Sequence, residues 1–265
     1  MLRDGLGRIG AGCIGLLGDF GRLTLTGVEA AGRLGRSLLP RERFRLRAAL
    51  DELHYIGVTA LPIVGLIAVM MGLILAFQSA YTLEKLGAEQ YVANLVAVAL
   101  TRELGPVITA VVVAGRSGSS IAAEVATMKV QEELDALKVM GLDPIAYIVA
   151  PKLLAMLVAI PLLTAFADVL GVLGGLACSV VVLDIPAVQY LARTQEALVL
   201  KDFWSGLFKA GIFGAIIVAV GAFCGFEVTG GAAGVGRGTT RAVVLSIFLV
   251  IVADLVFTSI FYALR

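Results

Sequence analysis

Residues 55–83 read YIGVTALPIVGLIAVMMGLILAFQSAYTL and contain no charged side chain. A helix that crosses a bilayer needs about 20 mostly apolar residues, and we predict a first membrane-spanning helix at 56–80. Over its 265 residues the chain is 59% hydrophobic and 15% charged, whereas ordinary soluble domains are about 45–50% apolar and 25% charged. This composition excludes a soluble enzyme, a disordered protein and a nucleic-acid-binding protein. It predicts an all-α, polytopic membrane protein.

Four further apolar stretches complete a predicted set of five spans, and the first 50 residues differ from all of them. The later spans are predicted at 91–115, 153–180, 204–226 and 242–264. Residues 1–50 contain no uncharged run long enough to cross a bilayer, and their apolar residues recur at close to helical spacing. We therefore predict an amphipathic helix in the membrane interface, with a weak signal-anchor as the alternative, followed by a five-span domain at 51–265.

Lys and Arg residues are distributed unevenly between the predicted loops. The loop after span two carries Arg116, Lys129, Lys138 and Lys152, that after span four carries Arg237 and Arg241, and the arginines before span one are Arg3, Arg8, Arg22, Arg33, Arg36, Arg41, Arg43, Arg45 and Arg47. The opposite side has only Lys85, Arg193, Lys201, Lys209 and Arg265. Because cytoplasmic loops carry the excess of Lys and Arg, we predict a cytoplasmic N-terminus and a C-terminus outside.

The loop at 116–150 is the one large feature on the predicted cytoplasmic side. Its apolar and charged residues are mixed, and Gly141 and Pro144 mark a helix stop. The pattern predicts a helix over 120–140 that lies on the membrane surface or docks into a partner, and a solvated connector is the alternative. Near the C-terminus, GGAAGVGRGTT (230–240) lacks the Lys and Ser/Thr of a phosphate loop, and we predict a flexible turn there.

Enzyme chemistry has no signature in this chain. The only histidine is His54, and Cys13, Cys178 and Cys224 are far apart, which leaves no metal or disulfide spacing. We predict no metal, no cofactor in this chain and no catalytic residues.

Charged residues inside the predicted spans are the remaining candidates. Arg102 and Glu103 lie in the middle of span two, Asp168 in span three and Asp254 in span five. A charge at the bilayer centre costs roughly 2.5–3.5 kcal/mol, so it usually faces protein partners or water. Sequence neighbours point about 100° apart on a helix, so Arg102 and Glu103 need not bond to each other. The structural alternative is an interhelical salt bridge from Arg102 to Asp168 or Asp254.

The sequence resembles the MlaE/YrbE-type permeases, membrane subunits of ABC transporters that work with MCE proteins. The residues that carry this resemblance are TRELGPVITAVVVAGRSGSSIAAEVATMKVQEELDALKVMGLDP (101–144), Pro151-Lys152, Phe77-Gln78, PLLT (161–164) and TTRAVV (239–244). It covers about residues 40–264.

This resemblance implies a homodimeric permease in the bacterial inner membrane, with a periplasmic C-terminus and the 120–140 helix seated in an ABC ATPase. The implied partners are an MlaF-like ATPase that uses ATP and Mg²⁺, an MlaB-like STAS-domain protein and an MlaD-like ring of MCE domains. The implied substrate is phospholipid, moved between the inner membrane and the MCE protein in maintenance of outer-membrane lipid asymmetry.

Site residues also follow from the resemblance. The lipid-cavity positions are Arg102, Glu103, Leu75, Leu83 and Gln78, and the ATPase-coupling positions are Glu124, Met128, Glu132, Glu133 and Leu137. No role is assigned to Asp168 or Asp254. Thr82 is more polar than we expect for a cavity wall.

Two other function classes stay open. A proton-coupled secondary transporter could use Glu103, Asp168 and Asp254 as a relay, although five spans do not divide into two equal repeats. A membrane scaffold for the MCE partner would tolerate neutralisation of all four buried charges.

Overall fold

A computed structural model describes residues 46–263. In this part of the chain all regular structure is helical, and five helices are long and apolar enough to cross a membrane. The predicted fold class is therefore confirmed for the described residues. The predicted N-terminal interfacial helix lies outside them, except for its last residues, 46–50, which begin the first span.

The spans are longer than the sequence predicts. Span one is α1, Leu46–Glu84. Span two runs from Glu89 to Val130 and contains α2 (Val92–Ala99), α3 (Gly105–Val113) and α4 (Ser119–Val130). Span three, Ile145–Val181, contains α6 (Ala150–Val181). Span four is α8 (Leu200–Phe226) and span five is α9 (Gly231–Ala263).

Two π-helical turns interrupt span two, and neither was predicted. The first π turn is Leu100–Leu104 and the second is Ala114–Gly118. A π turn inserts one residue into a helix and rotates the residues that follow, and such turns are frequent at functional sites. The first π turn carries Arg102 and Glu103.

The prediction of a single helix over 120–140 is wrong. Span two continues without a break through α4 to Val130, and a second, short helix, α5, covers Glu133–Val139. The break falls at Glu132, whose φ of 62° is left-handed and incompatible with a continuing helix.

The prediction of a flexible turn at 230–240 is also wrong. Only Gly230 and Gly231 have positive φ, and α9 begins at Gly231 and continues through the remaining glycines. The absence of side chains lets this first part of α9 lie close to the preceding segment: a Cβ on Gly238 would lie 2.6 Å from the Val228 side chain.

Small residues bring the spans together. A Cβ on Gly72 of α1 would overlap the carbonyl oxygen of Gly171 in α6, and one on Gly174 would overlap Val69. Backbones approach this closely only where side chains are absent. The close contact between α1 and α6 at Gly72, Gly171 and Gly174 lies within one chain.

The remaining helices complete the bundle. α8 packs on α6 and α4, and α9 packs on α8 and α4. The short helix α7 (Ala187–Ala197), which was not predicted, lies between spans three and four and packs against α2 and α6. Much of α9 faces outward, because its buried residues, Gly234, Ala242, Ser246 and Val250, form one narrow stripe.

Candidate functional site

Lys209 is the centre of the site, and sequence analysis misread it as a loop residue outside the membrane. It lies in α8 with its side chain 0% exposed. Its Nζ donates to Glu103 Oε2 at 2.6 Å, to Asp254 Oδ1 at 2.9 Å and to Thr258 Oγ1 at 2.8 Å. A signal was present in the sequence, because the predicted span 204–226 already included this lysine.

Gly206 explains how Lys209 reaches the second span. It lies almost one turn before Lys209 on α8, and a Cβ at this position would overlap the carbonyl oxygen of Thr101. The missing side chain lets α8 approach the backbone of the first π turn directly. Lys209 therefore extends along that turn to Glu103, with its Nζ also 3.5 Å from the carbonyl oxygen of Arg102.

Arg102 has different partners from those that sequence analysis offered. Its Nε lies 3.8 Å from Glu103 Oε1, and its Nη1 lies 3.9 Å from Asp202 Oδ1 in the first turn of α8. The alternative of a salt bridge from Arg102 to Asp168 or Asp254 is wrong, since Asp254 pairs with Lys209 instead. The sequence neighbours Arg102 and Glu103 do contact each other, across the π turn.

The charged cluster is thus built from spans two, four and five and consists of Arg102, Glu103, Asp202, Lys209 and Asp254. Two cations and three carboxylates sum to −1 when all are ionised. Lys209 is enclosed, whereas the other four side chains are between 21% and 30% exposed. Buried charges are stable when each is paired and hydrogen-bonded, and Thr258 Oγ1 adds a bond by donating to Glu103 Oε2 at 3.0 Å. Every charge of the cluster thus has a partner within it, and four of the five side chains remain partly exposed.

Asp168 stands apart from this cluster. It is 4% exposed, and no ion pair among residues 46–263 includes it. The structure therefore separates the two intramembrane aspartates that the sequence presented as equivalent.

The apolar lipid-cavity candidates lie next to the first π turn. Leu75 and Leu83 pack on a buried cluster that includes Leu100, and Leu104 packs on the same cluster. Leu100 and Leu104 are the two ends of the π turn that carries Arg102 and Glu103. Gln78 is exposed on α1. The structure thus links Leu75 and Leu83 to the charged cluster through one apolar layer, and their role in a cavity stays a prediction.

The ATPase-coupling candidates divide into inward-facing and outward-facing groups. Leu137 is buried and Met128 packs with it on one cluster, whereas Glu132 and Glu133 are exposed. The coupling candidates do not include the apolar residues that are most exposed here, Val139 at 89% and Met140 at 64%. The coupling role of all these residues stays a prediction.

A second ionic network joins three helices on the side of the membrane where α1 begins. Lys152, 4% exposed, pairs with Glu52 of α1 and, at 2.8 Å, with Glu124 of α4. These residues line an open pocket of about 580 Å³ that Asp51 and Ser117 also border. We call Lys152, Glu52 and Glu124 the Lys152 network. Sequence analysis treated Lys152 as a loop cation, although it follows Pro151 directly at the start of α6.

Comparison with known proteins gives a family for this arrangement. The model of the family described as "Permease MlaE" matches residues 49–260. The chain belongs to the MlaE permease family. The match includes most of each of the five spans and every residue of the charged cluster and of the Lys152 network.

Relatives of this MlaE-family chain occur in bacteria and in a plant. A probable ABC transporter permease protein of Rickettsia felis is 41% identical over 226 residues, which cover 85% of this chain and 87% of the relative. A protein of the same description from Synechocystis is 38% identical and covers 80% of this chain and 81% of the relative. Protein TRIGALACTOSYLDIACYLGLYCEROL 1, chloroplastic, of Arabidopsis thaliana is 37% identical and covers 82% of this chain and 62% of the relative.

Proposed function

We propose that this chain is the permease subunit of an ATP-driven phospholipid transporter. The observation that carries the proposal is the charged cluster, which joins three spans and leaves four of its five charged side chains partly exposed. Polar groups at this depth suit a substrate that brings a charged headgroup into an otherwise apolar space. The neighbouring layer of Leu75, Leu83 and Leu104 supplies apolar surface for acyl chains.

ATP hydrolysis is assigned to a separate chain. This sequence lacks the Lys and Ser/Thr of a phosphate loop, and the names of its relatives as ABC transporter permeases support an ATPase partner of the MlaF type. The docking surface we propose is the end of α5, where Val139 and Met140 present apolar side chains beyond the spans. Exposed apolar residues at such a place are typical of a protein interface.

The proposed setting is the bacterial inner membrane, with α5 in the cytoplasm. Lys209 does not count toward the loop charges, since it lies inside α8, and removing it strengthens the excess of Lys and Arg on the side of α5. The C-terminus then lies in the periplasm, where we propose that an MlaD-like MCE protein exchanges lipid with the permease. An MlaB-like STAS protein and a second copy of this chain complete the proposed assembly, which maintains outer-membrane lipid asymmetry.

Transport follows from closure of the proposed dimer. ATP-driven approach of the two ATPases would push on α5 and α4, and α4 is continuous with the first π turn through α3. Force on α4 therefore reaches Arg102 and Glu103 through one helical span. The same motion would compress the apolar layer and move lipid to or from the MCE protein.

The proposal is tested by neutralising the cluster in cells. Arg102→Ala and Glu103→Ala are expected to impair the outer-membrane barrier while the protein still folds and binds its partners. The matched controls are Glu84→Ala and Lys85→Ala, an acidic and basic pair that is exposed at the end of α1, and they are expected to behave as wild type. A normal barrier in both cluster variants would contradict the proposal.

A further inference from the structure

The Asp168 side chain is buried, and one of its two carboxyl oxygens has no donor to satisfy it. Its Oδ1 is inaccessible to water and has no hydrogen-bond partner, and the side chain is 4% exposed. An ionised carboxylate enclosed in this way is strongly unfavourable unless a cation or several donors surround it. The two cations of the charged cluster, Arg102 and Lys209, are engaged with Asp202, Glu103 and Asp254.

Asp168 Oδ1 faces the backbone of the first π turn. A Cβ on Gly105 would overlap Oδ1, and the carbonyl oxygen of Leu100 lies 2.9 Å from the same point. Both oxygens therefore lie against one face of Gly105. Leu100 O accepts a hydrogen bond from the backbone N–H of Gly105. A carbonyl oxygen has a second lone pair that can accept from another donor.

A buried carboxyl oxygen without a donor is most stable when it carries a proton, and the Leu100 carbonyl oxygen on the same face of Gly105 is an acceptor for its O–H. A protonated carboxyl has an O–H donor, whereas a backbone carbonyl cannot supply one. Helix α6, which carries Asp168, also contacts the Leu100 side chain: Leu100 Cδ1 lies 2.8 Å from the position that a Cβ on Gly171 would take. Asp168 and Gly171, nearly one turn apart on α6, thus both lie against Leu100, the residue at which the first π turn begins.

We propose that Asp168 is a neutral carboxylic acid that donates a hydrogen bond to Leu100 O and so positions the first π turn. It is a positioning residue: within residues 46–263 it forms no ion pair with Arg102 and no hydrogen bond with Glu103, but it fixes the turn that directs these two side chains toward Lys209 and Asp202. This role differs from that of a proton relay, in which Asp168 would have to ionise during the transport cycle.

Infrared spectroscopy tests the protonation state directly. The full-length protein, purified in detergent at neutral pH, is compared with its Asp168→Asn variant. The difference spectrum is expected to contain a carboxylic acid C=O band that belongs to Asp168. Asp184→Asn, which changes an exposed aspartate outside the spans, is expected to remove a carboxylate band instead. A carboxylate band for Asp168 would overturn the proposal, and this readout is independent of the proposed function.

Rescue by the conservative variant tests the positioning role. Asn keeps the shape and supplies an N–H donor, so Asp168→Asn is expected to retain wild-type thermal stability and lipid transport. Asp168→Leu leaves Leu100 O without its proposed second donor. Loss of this hydrogen bond is expected to lower the ratio of molecules with the first π turn formed to molecules without it about tenfold. Loss of transport in a stably folded Asp168→Asn variant would overturn the proposal in favour of an ionising Asp168. The transport readout alone rests on the proposed function.

Discussion

Replacement of Lys209 by Met tests whether the charged cluster holds the bundle together. Met keeps most of the length and the apolar stem but removes the ammonium that contacts Glu103 Oε2 at 2.6 Å and Asp254 Oδ1 at 2.9 Å. Removing one partner of a buried ion pair costs about 3–5 kcal/mol because the other charge remains. Glu103 and Asp254 are 30% and 21% exposed, so water reaches them and the lower end, about 3 kcal/mol, applies.

The assay is thermal unfolding of the purified protein in detergent, followed by the loss of monodisperse protein on size-exclusion chromatography. A change of this size corresponds to a fall in apparent Tm of about 6–12 °C, taking about 2–4 °C for each kcal/mol in chains of this length. Lys201→Met is the matched control, because Lys201 is exposed in the first turn of the same helix. It is expected to melt within about 1–2 °C of wild type, since exposed substitutions are usually within about 0.5 kcal/mol.

A compensating second change makes the test specific. Asp254→Asn in the Lys209→Met background removes one of the two carboxylates that have lost the ammonium, and it is expected to recover about half of the lost stability, because neighbouring sites in one network do not add independently. A Lys209→Met variant that melts like wild type, or a double variant that melts lower than the single one, would refute the reasoning.

Three further changes test other contacts. Gly72→Ala is expected to lower the apparent Tm by several degrees, because the new Cβ would overlap the Gly171 carbonyl oxygen. The control is Gly57→Ala, which has no atom within 4 Å of the new Cβ and is expected to leave Tm unchanged or raise it slightly. Equal effects of the two variants on Tm would contradict the close backbone contact. Lys152→Met is expected to destabilise the protein by about 3 kcal/mol in the same melting assay, since it leaves Glu52 and Glu124 without their shared cation. The control is Lys138→Met, because Lys138 is exposed. Equal melting temperatures of the two variants would contradict the Lys152 network. Glu132→Gly is expected to raise stability by up to about 1 kcal/mol, because it relieves a left-handed non-glycine residue; a clear loss of stability would show that the Glu132 side chain makes a contact of its own.

The five spans could be predicted because their signal is local. Apolar runs of about 20 residues identify spans whatever packs around them, and the predicted stretches all lie inside the observed helices apart from the last residue of the fifth, which lies beyond the described residues. The predicted spans are shorter than the observed helices, because these helices extend beyond the apolar stretch into charged segments, for example to Asp51 in α1 and Glu124 in α4.

The charged cluster could be predicted only in part. Arg102, Glu103 and Asp254 are conspicuous as charges in apolar stretches, but their partners depend on which helices meet. Lys209 and Asp202 come from α8, which reaches the π turn because Gly206 has no side chain. Long-range packing of this kind leaves no periodic trace in the sequence. The π turns were missed for a similar reason, since one inserted residue does not change the composition of a helix.

The proposed ATP-driven lipid transport is tested most directly by co-purification. The tagged full-length chain is extracted from its own membranes in mild detergent, and its companions are identified by mass spectrometry. The account predicts a near-equimolar protein with a phosphate-loop motif, together with an MCE-domain protein and retained phospholipid, and it predicts that a Val139→Asp, Met140→Asp double variant loses the ATPase. Val188→Asp, on the exposed surface of α7 at the other side of the membrane, should retain it. A wild-type chain that purifies without any ATPase, however mild the detergent, would contradict the account.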